Sequence, residues 1–376
     1  MDAMTNQTTN IVVIGAGIIG CSIAYHLAKQ GANVTLLDTQ EPGQSTTAVS
    51  FAWINGRDKN PRNYHDLNRQ SLEQWSRFAR QLDAESALTW GGELRWAASE
   101  DAAEEIVQRV RTLQSWGYPI YLLNADDVKQ LEPRLTPGEV AVASYTEIDG
   151  HVDTNIIVNA CIQNLEQHNA TVYKTQVTGF AHANHKIQSV ITTAGEIACD
   201  AVVLAAGPDT ADIAHMANIH VPLYDTFGCS IITEPVPPIF QHVSVMHSPR
   251  DTPPQTNFRQ LPNGSVMMHG GAHGRVFDGG SLGQNDKEIQ TVQEAVAQYM
   301  PALEGVPIQE VRKGRRPIPK DGLPILGFTK QMTNLYLSVM HSGVTLAPLV
   351  GESASIEILE QTHIDYLEPY RLSRFE

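Results

Sequence analysis

At 376 residues the chain exceeds one ordinary core of roughly 100 to 200 residues, and 42% hydrophobic and 18% charged content without low-complexity tracts excludes a disordered or fibrous protein. The formal charge of −15 argues against nonspecific binding to nucleic acid or anionic lipid, both of which need a basic face to neutralise phosphates, and leaves a small-molecule substrate as the natural expectation. Residues 1–10 lack the basic flank and apolar stretch of a signal peptide and no apolar run reaches the ~20 residues that span a bilayer, so a cytoplasmic protein is expected, with peripheral membrane attachment left open.

Residues 10–14 are a short apolar run ending at Gly15, 18–30 carry helical spacing, and 33–38 are a second strand-like run, so the chain opens with a strand, helix, strand unit. Residues 41–62, rich in Gly, Ser, Thr, Asn and Pro, predict extended chain that follows a ligand rather than another helix. Tyr64, Leu67, Leu72, Trp75, Phe78 and Leu82 fall near one helical face, and a second helix is expected over 99–116. A third, over 153–168, has Asp153 or Thr154 as its cap and leads to a strand at 171–177 and a strand pair near 186–193. The stretch 221–311 predicts a separate, mainly antiparallel sheet, with strands at 229–233, 257–261 and 265–269 and a turn at Pro262-Asn263-Gly264. The last helix is expected over 345–360, directly after a glycine. Cys21, Cys161, Cys199 and Cys229 form no Cys-x-x-Cys pair and read as buried thiols.

Gly15-Ala16-Gly17-Ile18-Ile19-Gly20 fits Gly-x-Gly-x-x-Gly between a strand and a helix. There the first glycine permits a tight turn, the second lets backbone approach a pyrophosphate, and the third lets helix and strand pack closely. The helix start adds unpaired N–H groups and positive dipole for phosphates, and Asp38, ending the second strand, can accept from ribose hydroxyls. NAD enzymes share this fingerprint. The irregular 44–55 segment suits chain laid along the longer FAD, and the apolar strand 200–207, which runs into Gly207, can return to the same cofactor.

With these features and the strings Gly314-Arg315-Arg316-Pro317-Ile318-Pro319-Lys320-Asp321-Gly322-Leu323-Pro324-Ile325-Leu326-Gly327, Ser342-Gly343-Val344-Thr345-Leu346-Ala347-Pro348 and Pro369-Tyr370-Arg371-Leu372-Ser373-Arg374-Phe375, the chain resembles the FAD-dependent D-amino acid oxidase, glycine oxidase and sarcosine oxidase (DAO) family over nearly its whole length. The resemblance implies an α/β plus α+β protein: a discontinuous Rossmann-like FAD-binding domain (10–85, 150–215 and 317–376) and a mainly antiparallel-sheet substrate domain (86–149 and 216–316) that covers the flavin ring. The cofactor contacts expected are Gly15, Gly17, Ile18, Gly20, Asp38, Thr46, Thr47, Val177, Ala206, Gly207, Gly343, Val344 and Thr345. N–H groups at the Gly343 helix start could face the pyrimidine end of the flavin, where negative charge develops on reduction.

Arg316 matches the position at which amino acid oxidases of the family grip the substrate carboxylate, a task that suits the planar guanidinium fork. Arg315 could turn inward instead; a surface salt bridge is the bland alternative for either. Lys313, Arg312 and these two form a basic cluster in what reads as a constrained loop. Glycine oxidases carry a second arginine where His341 stands, so His341 either lines the pocket or merely bonds backbone. Residues 315–327 have no cysteine and 44–55 no histidine for a covalent flavin link, so noncovalent FAD is expected. Met267 and Met268 stand where sarcosine-type oxidases keep a lysine that helps oxygen react, which leaves the electron acceptor open. One or two of Asn257, Phe258 and Arg259 are expected in the pocket, and His269 with His273 is not expected to bind metal.

The resulting expectation is an FAD-dependent oxidoreductase that oxidises the C–N bond of an amine or amino acid by hydride transfer to flavin N5, giving an imine that hydrolyses. The alternatives are a flavin dehydrogenase of a hydroxy acid and a flavin-holding subunit of a larger complex, with a membrane or electron-acceptor partner and the oligomeric state left open.

Overall fold

The computed structural model describes residues 8–168, 170–270 and 286–376. A six-stranded sheet runs in the order Ile325–Phe328, Leu335–Val339, Ala201–Leu204, Asn10–Ile14, Asn33–Asp38 and Thr171–Lys174. All its neighbours are parallel except the first pair. Such a sheet is covered on both faces, which is why these strands read as continuous apolar runs rather than alternating ones. Ile11 and Val13 enter one core with the helices Ile18–Lys29, Arg62–Gln81, Thr154–Glu166 and Gly343–Glu360. Val12 and Ile14 enter another, beneath the meander Val177–Ala183, Lys186–Thr192 and Gly195–Ala198.

Four distant stretches thus meet in one sheet: 10–38, 171–174, 201–204 and 325–339. The first and last helices pack closely, because Gly351 has no side chain: a Cβ there would lie 2.1 Å from Ser22 Oγ, which donates to Ala347 O at 2.7 Å. Asp153 caps Thr154–Glu166 through the backbone N–H groups of Asn155 and Ile156. The last helix begins at Gly343, two residues earlier than expected.

The second sheet is eight-stranded, in the order Ile308–Arg315, Phe227–Thr233, Val266–Gly270, Thr256–Gln260, Val245–His247, Glu93–Ala97, Val142–Thr146 and Tyr121–Leu123. It is antiparallel except where Val245–His247 runs parallel to Glu93–Ala97. Alternation splits it cleanly. Leu94, Trp96, Met246, Phe258 and Met268 form one apolar face with Val292 and Val296 of the helix Asp286–Tyr299. Phe258 therefore faces away from the expected pocket, and Met268 with it.

Several expectations change. The 41–62 segment is not wholly extended: it contains a short helix, Thr46–Val49, and a strand, Trp53–Ile54. The 171–177 run splits between two sheets, Thr171–Lys174 joining the parallel sheet and Val177 opening the meander. The basic cluster lies mostly on the strand Ile308–Arg315, because antiparallel pairing with Phe227–Thr233 overrides the glycines. Cys21 and Cys161 are buried as expected, whereas Cys199 and Cys229 are only half-buried. Among the described residues no helix is long and apolar enough to cross a membrane.

Candidate cofactor and substrate site

The glycine loop leaves no room for side chains. A Cβ on Gly15, whose φ is +105°, would lie 2.4 Å from Ala205 O, and one on Gly20 would lie 1.8 Å from Gly15 O. Gly17 caps the first helix without a side-chain hydrogen bond, and Ile18 N donates to Thr47 Oγ1 at 3.1 Å. Asp38 is turned into the loop, accepting from Ala16 N at 2.7 Å through one oxygen and from Gln40 N at 2.9 Å through the other, each oxygen keeping a lone pair for a further donor.

Thr46 Oγ1 donates to Arg315 O at 2.9 Å and stands 3.9 Å from where a Cβ on Gly207 would be. Ala206 and Gly207 follow the strand Ala201–Leu204, whose end is tied to the first strand by Ala205 N donating to Ile14 O. A Cβ on Gly343 would lie 3.3 Å from Ile19 Cγ1, so the two long helices begin side by side. The later one has no side-chain cap either, and Val344 and Thr345 follow in its first turn. Thr345 Oγ1 is committed to the chain itself, accepting from Asn55 N and donating to Trp53 O. Val177 is buried in the core beneath the meander, with Leu37. An uncapped helix start at Gly343, a second at Gly17 where Ile18 N is already bonded to Thr47, glycines that admit backbone alone and a carboxylate at the second strand end fit an elongated anionic dinucleotide.

Above this lies the second face of the eight-stranded sheet, where cross-strand register sets Ser230, His269, Asn257, His247, Arg95 and Ser144 side by side. The 51–58 segment crosses that row. Phe51 packs on Ile232 and Met267, with its ring 4.9 Å from that of His269, and Trp53 lies 4.8 Å from His247. Arg57 binds Glu93 at 2.5 Å and Ser144 at 2.8 Å, and Arg95 binds Asp58 at 2.9 Å. Ser230 donates to Val49 O, so His269 Nε2 must carry the proton in its contact with Ser230.

Arg316 and His341 meet. Arg316 Nη2 lies 2.8 Å from His341 Nε2, and since a guanidinium only donates, His341 accepts there and is neutral with its proton on Nδ1. Burial lowers the Arg316 pKa. Its Nη1 is buried without a partner, and no carboxylate lies within ion-pair distance of it among the described residues. Arg315 takes the surface role instead, pairing with Asp209 and Asp225, while Arg312 binds Ala48 O and Glu310.

Asn257 and Arg259 share the site-facing side of their strand; Asn257 Oδ1 is buried without a partner. Arg259, 3% exposed, donates to His151 Nδ1 at 2.8 Å over the Phe51 ring, and burial pushes its pKa down to about 9. His273 lies outside the described residues, among which no group of three or more His, Cys, Asp or Glu could hold a metal. A cleft of about 570 Å³ opens beyond His151, between Trp90 and Gln241, but no expected site residue lines it.

Among the side chains that sequence reasoning missed are Lys59 and Tyr64. Lys59 Nζ and Tyr64 Oη both donate to Ser342 Oγ at 2.8 Å, immediately before the last helix. Burial pushes Lys59 down to about 8, against the opposing pull of Asp58 and Asp149. Their separations of 283 and 278 residues from Ser342 leave no local pattern that could have found them.

Residues 10–355 match a family model described as FAD dependent oxidoreductase (DAO). The chain is 28% identical to the uncharacterized oxidoreductase YurR of Bacillus subtilis, covering 96% of this chain and 97% of that protein. It is 25% identical to an opine oxidase subunit of Agrobacterium tumefaciens, covering 90% of each. L-proline dehydrogenase from P. horikoshii shares the fold, with a TM-score of 0.85 and 24% identity over 98% of this chain and 99% of that one.

Proposed function

Since the chain belongs to the DAO family of FAD-dependent oxidoreductases, we propose that it oxidises the C–N bond of an amino acid or secondary amine bearing a carboxylate. The carrying observation is Arg316: a half-buried guanidinium, steadied by neutral His341, with a buried N–H that has no partner and no counter-carboxylate. A substrate carboxylate supplies both, and a charge-assisted pair there fixes the orientation of the remaining atoms. Bound FAD would supply hydride acceptance at N5, leaving a neutral amine as a protonated imine that water hydrolyses to a carbonyl compound and an ammonium. The free N–H groups at the Gly343 helix start favour the negative charge that accompanies reduction. In this reading the sheet face carrying Asn257, His247 and His269 is the one that would cover the reacting atoms. No side-chain base is needed for an amine that binds neutral.

FAD is held noncovalently in this reading, because residues 315–327 contain no cysteine and 44–55 no histidine. A second reading, a flavin-holding subunit of a larger assembly, draws on the relative named as an opine oxidase subunit. The visible spectrum of purified protein, followed anaerobically as glycine, sarcosine, proline and D- and L-amino acids are added singly, separates the two. Bleaching of the flavin band by one of them supports amine oxidation. Yellow protein that none of them bleaches favours the second reading, and colourless protein that takes up no FAD removes both.

A further inference from the structure

Ser342 is 8% exposed, and its hydroxyl has two lone pairs and one proton. Lys59 Nζ and Tyr64 Oη donate into it from two sides, each at 2.8 Å, so both lone pairs are taken. What remains is the proton, and no acceptor in the described structure receives it. Lys59 forms no ion pair among the described residues, and Asp58 and Asp149 act on it only from a greater distance. The hydroxyl stands at the N-cap of Gly343–Glu360, whose first N–H groups have no side-chain cap, next to His341 and hence to Arg316.

We propose that Ser342 is a dedicated proton donor to a negatively charged or carbonyl oxygen of a ligand at this helix start, with Lys59 and Tyr64 as positioning residues that leave it no other role. The inference rests on the function proposed above. The oxygen belongs either to the substrate carboxylate, making Ser342 a second anchor beside Arg316, or to the pyrimidine ring of FAD. The chemistry is shared: a donor polarised by an ammonium meets an oxygen that carries charge, and such hydrogen bonds are roughly twice as strong as neutral ones.

The test uses holoprotein of the wild type, Ser342→Ala, Lys59→Gln and the double variant. Two dissociation constants are read from the flavin spectrum, for acetate as a carboxylate probe and for sulfite as a probe of how well the oxidised flavin tolerates added negative charge. Removing a hydrogen bond to a charged group should weaken one of them by about tenfold in Ser342→Ala. Lys59→Gln should weaken the same one, and the double variant should be no worse than Ser342→Ala, because both act through one hydroxyl. Loss for acetate alone assigns the oxygen to the substrate, and loss for sulfite alone assigns it to FAD.

Both constants within about twofold of wild type, or effects of the two substitutions that multiply, would overturn the proposal. Should Ser342→Ala fail to hold flavin, Lys59→Gln decides alone, an unchanged pair of constants again overturning it. A wild-type protein that takes up no FAD fails a different claim, the function itself.

Discussion

Arg315 and Arg316 are neighbours with opposite fates. One lies at the end of a strand and reaches Asp209 and Asp225 at the surface; the other follows it, with its stem 3.1 Å from where a Cβ on Gly228 would be, and turns toward His341. A side chain at position 228 would contest the space that the Arg316 stem occupies. Arg316→Met is therefore expected to raise KM for a carboxylate substrate about ten- to hundredfold, the worth of a hydrogen bond between charged groups, while Arg315→Met changes it less than about twofold because exposed ion pairs contribute little. Steady-state kinetics on the substrate that bleaches the flavin decide it, and equal effects from the two would refute the assignment. The choice between the two arginines was not legible in the string Gly314-Arg315-Arg316-Pro317, because it depends on a glycine on another strand.

Helices show the same division. The apolar stripe of Arg62–Gln81 was legible, and the cap of Thr154–Glu166 was legible to within one residue, Asp153 or Thr154, because each depends on residues within a turn or two. What lies between helices was not. His26, 7% exposed, stacks on Phe78 with ring centroids 5.6 Å apart and sits where Gly351 of the last helix makes room for it. Burial, only partly offset by Glu352, pushes its pKa down to about 4, against about 6.5 in an unfolded chain. Below about pH 6.5 the unfolded chain takes up a proton that the folded one refuses, so stability falls as pH drops toward 4, by up to about 3 kcal/mol. His26→Phe should flatten that slope relative to wild type in urea midpoints measured from pH 7 to pH 4. An identical slope in both proteins would assign the acid sensitivity elsewhere.

At the scale of the molecule, the glycine loop, the 44–55 segment, the Gly207 turn and the Gly343 helix start come from far along the chain and meet, and we propose that FAD lies across them. A ligand that touches all of them ties together stretches that otherwise meet through packing alone. Stripping FAD should lower the melting temperature, and adding it back should raise the temperature progressively with concentration, by the equivalent of about 4 kcal/mol at a thousandfold excess over Kd. Protease cleavage within 44–55 should slow in parallel if FAD lies along Thr46 and Thr47 as proposed. A melting temperature indifferent to FAD would mean that the convergence is not used.

By itself the sequence determined the glycine fingerprint, the apolar runs of a covered parallel sheet, the long helices and, through strings spread from residue 10 to the C-terminus, the family and its FAD. Each is set by residues near one another in the chain, where helical and strand periodicity and the steric demands of a tight turn leave a local mark. Only the tertiary structure decided which arginine turns inward, that His341 accepts from it, that Phe258 faces away while Asn257 faces in, and that Lys59 and Tyr64 converge on Ser342. Those relations are products of strand register and helix docking, which sum many weak contacts over the whole core before any one side chain finds its partner.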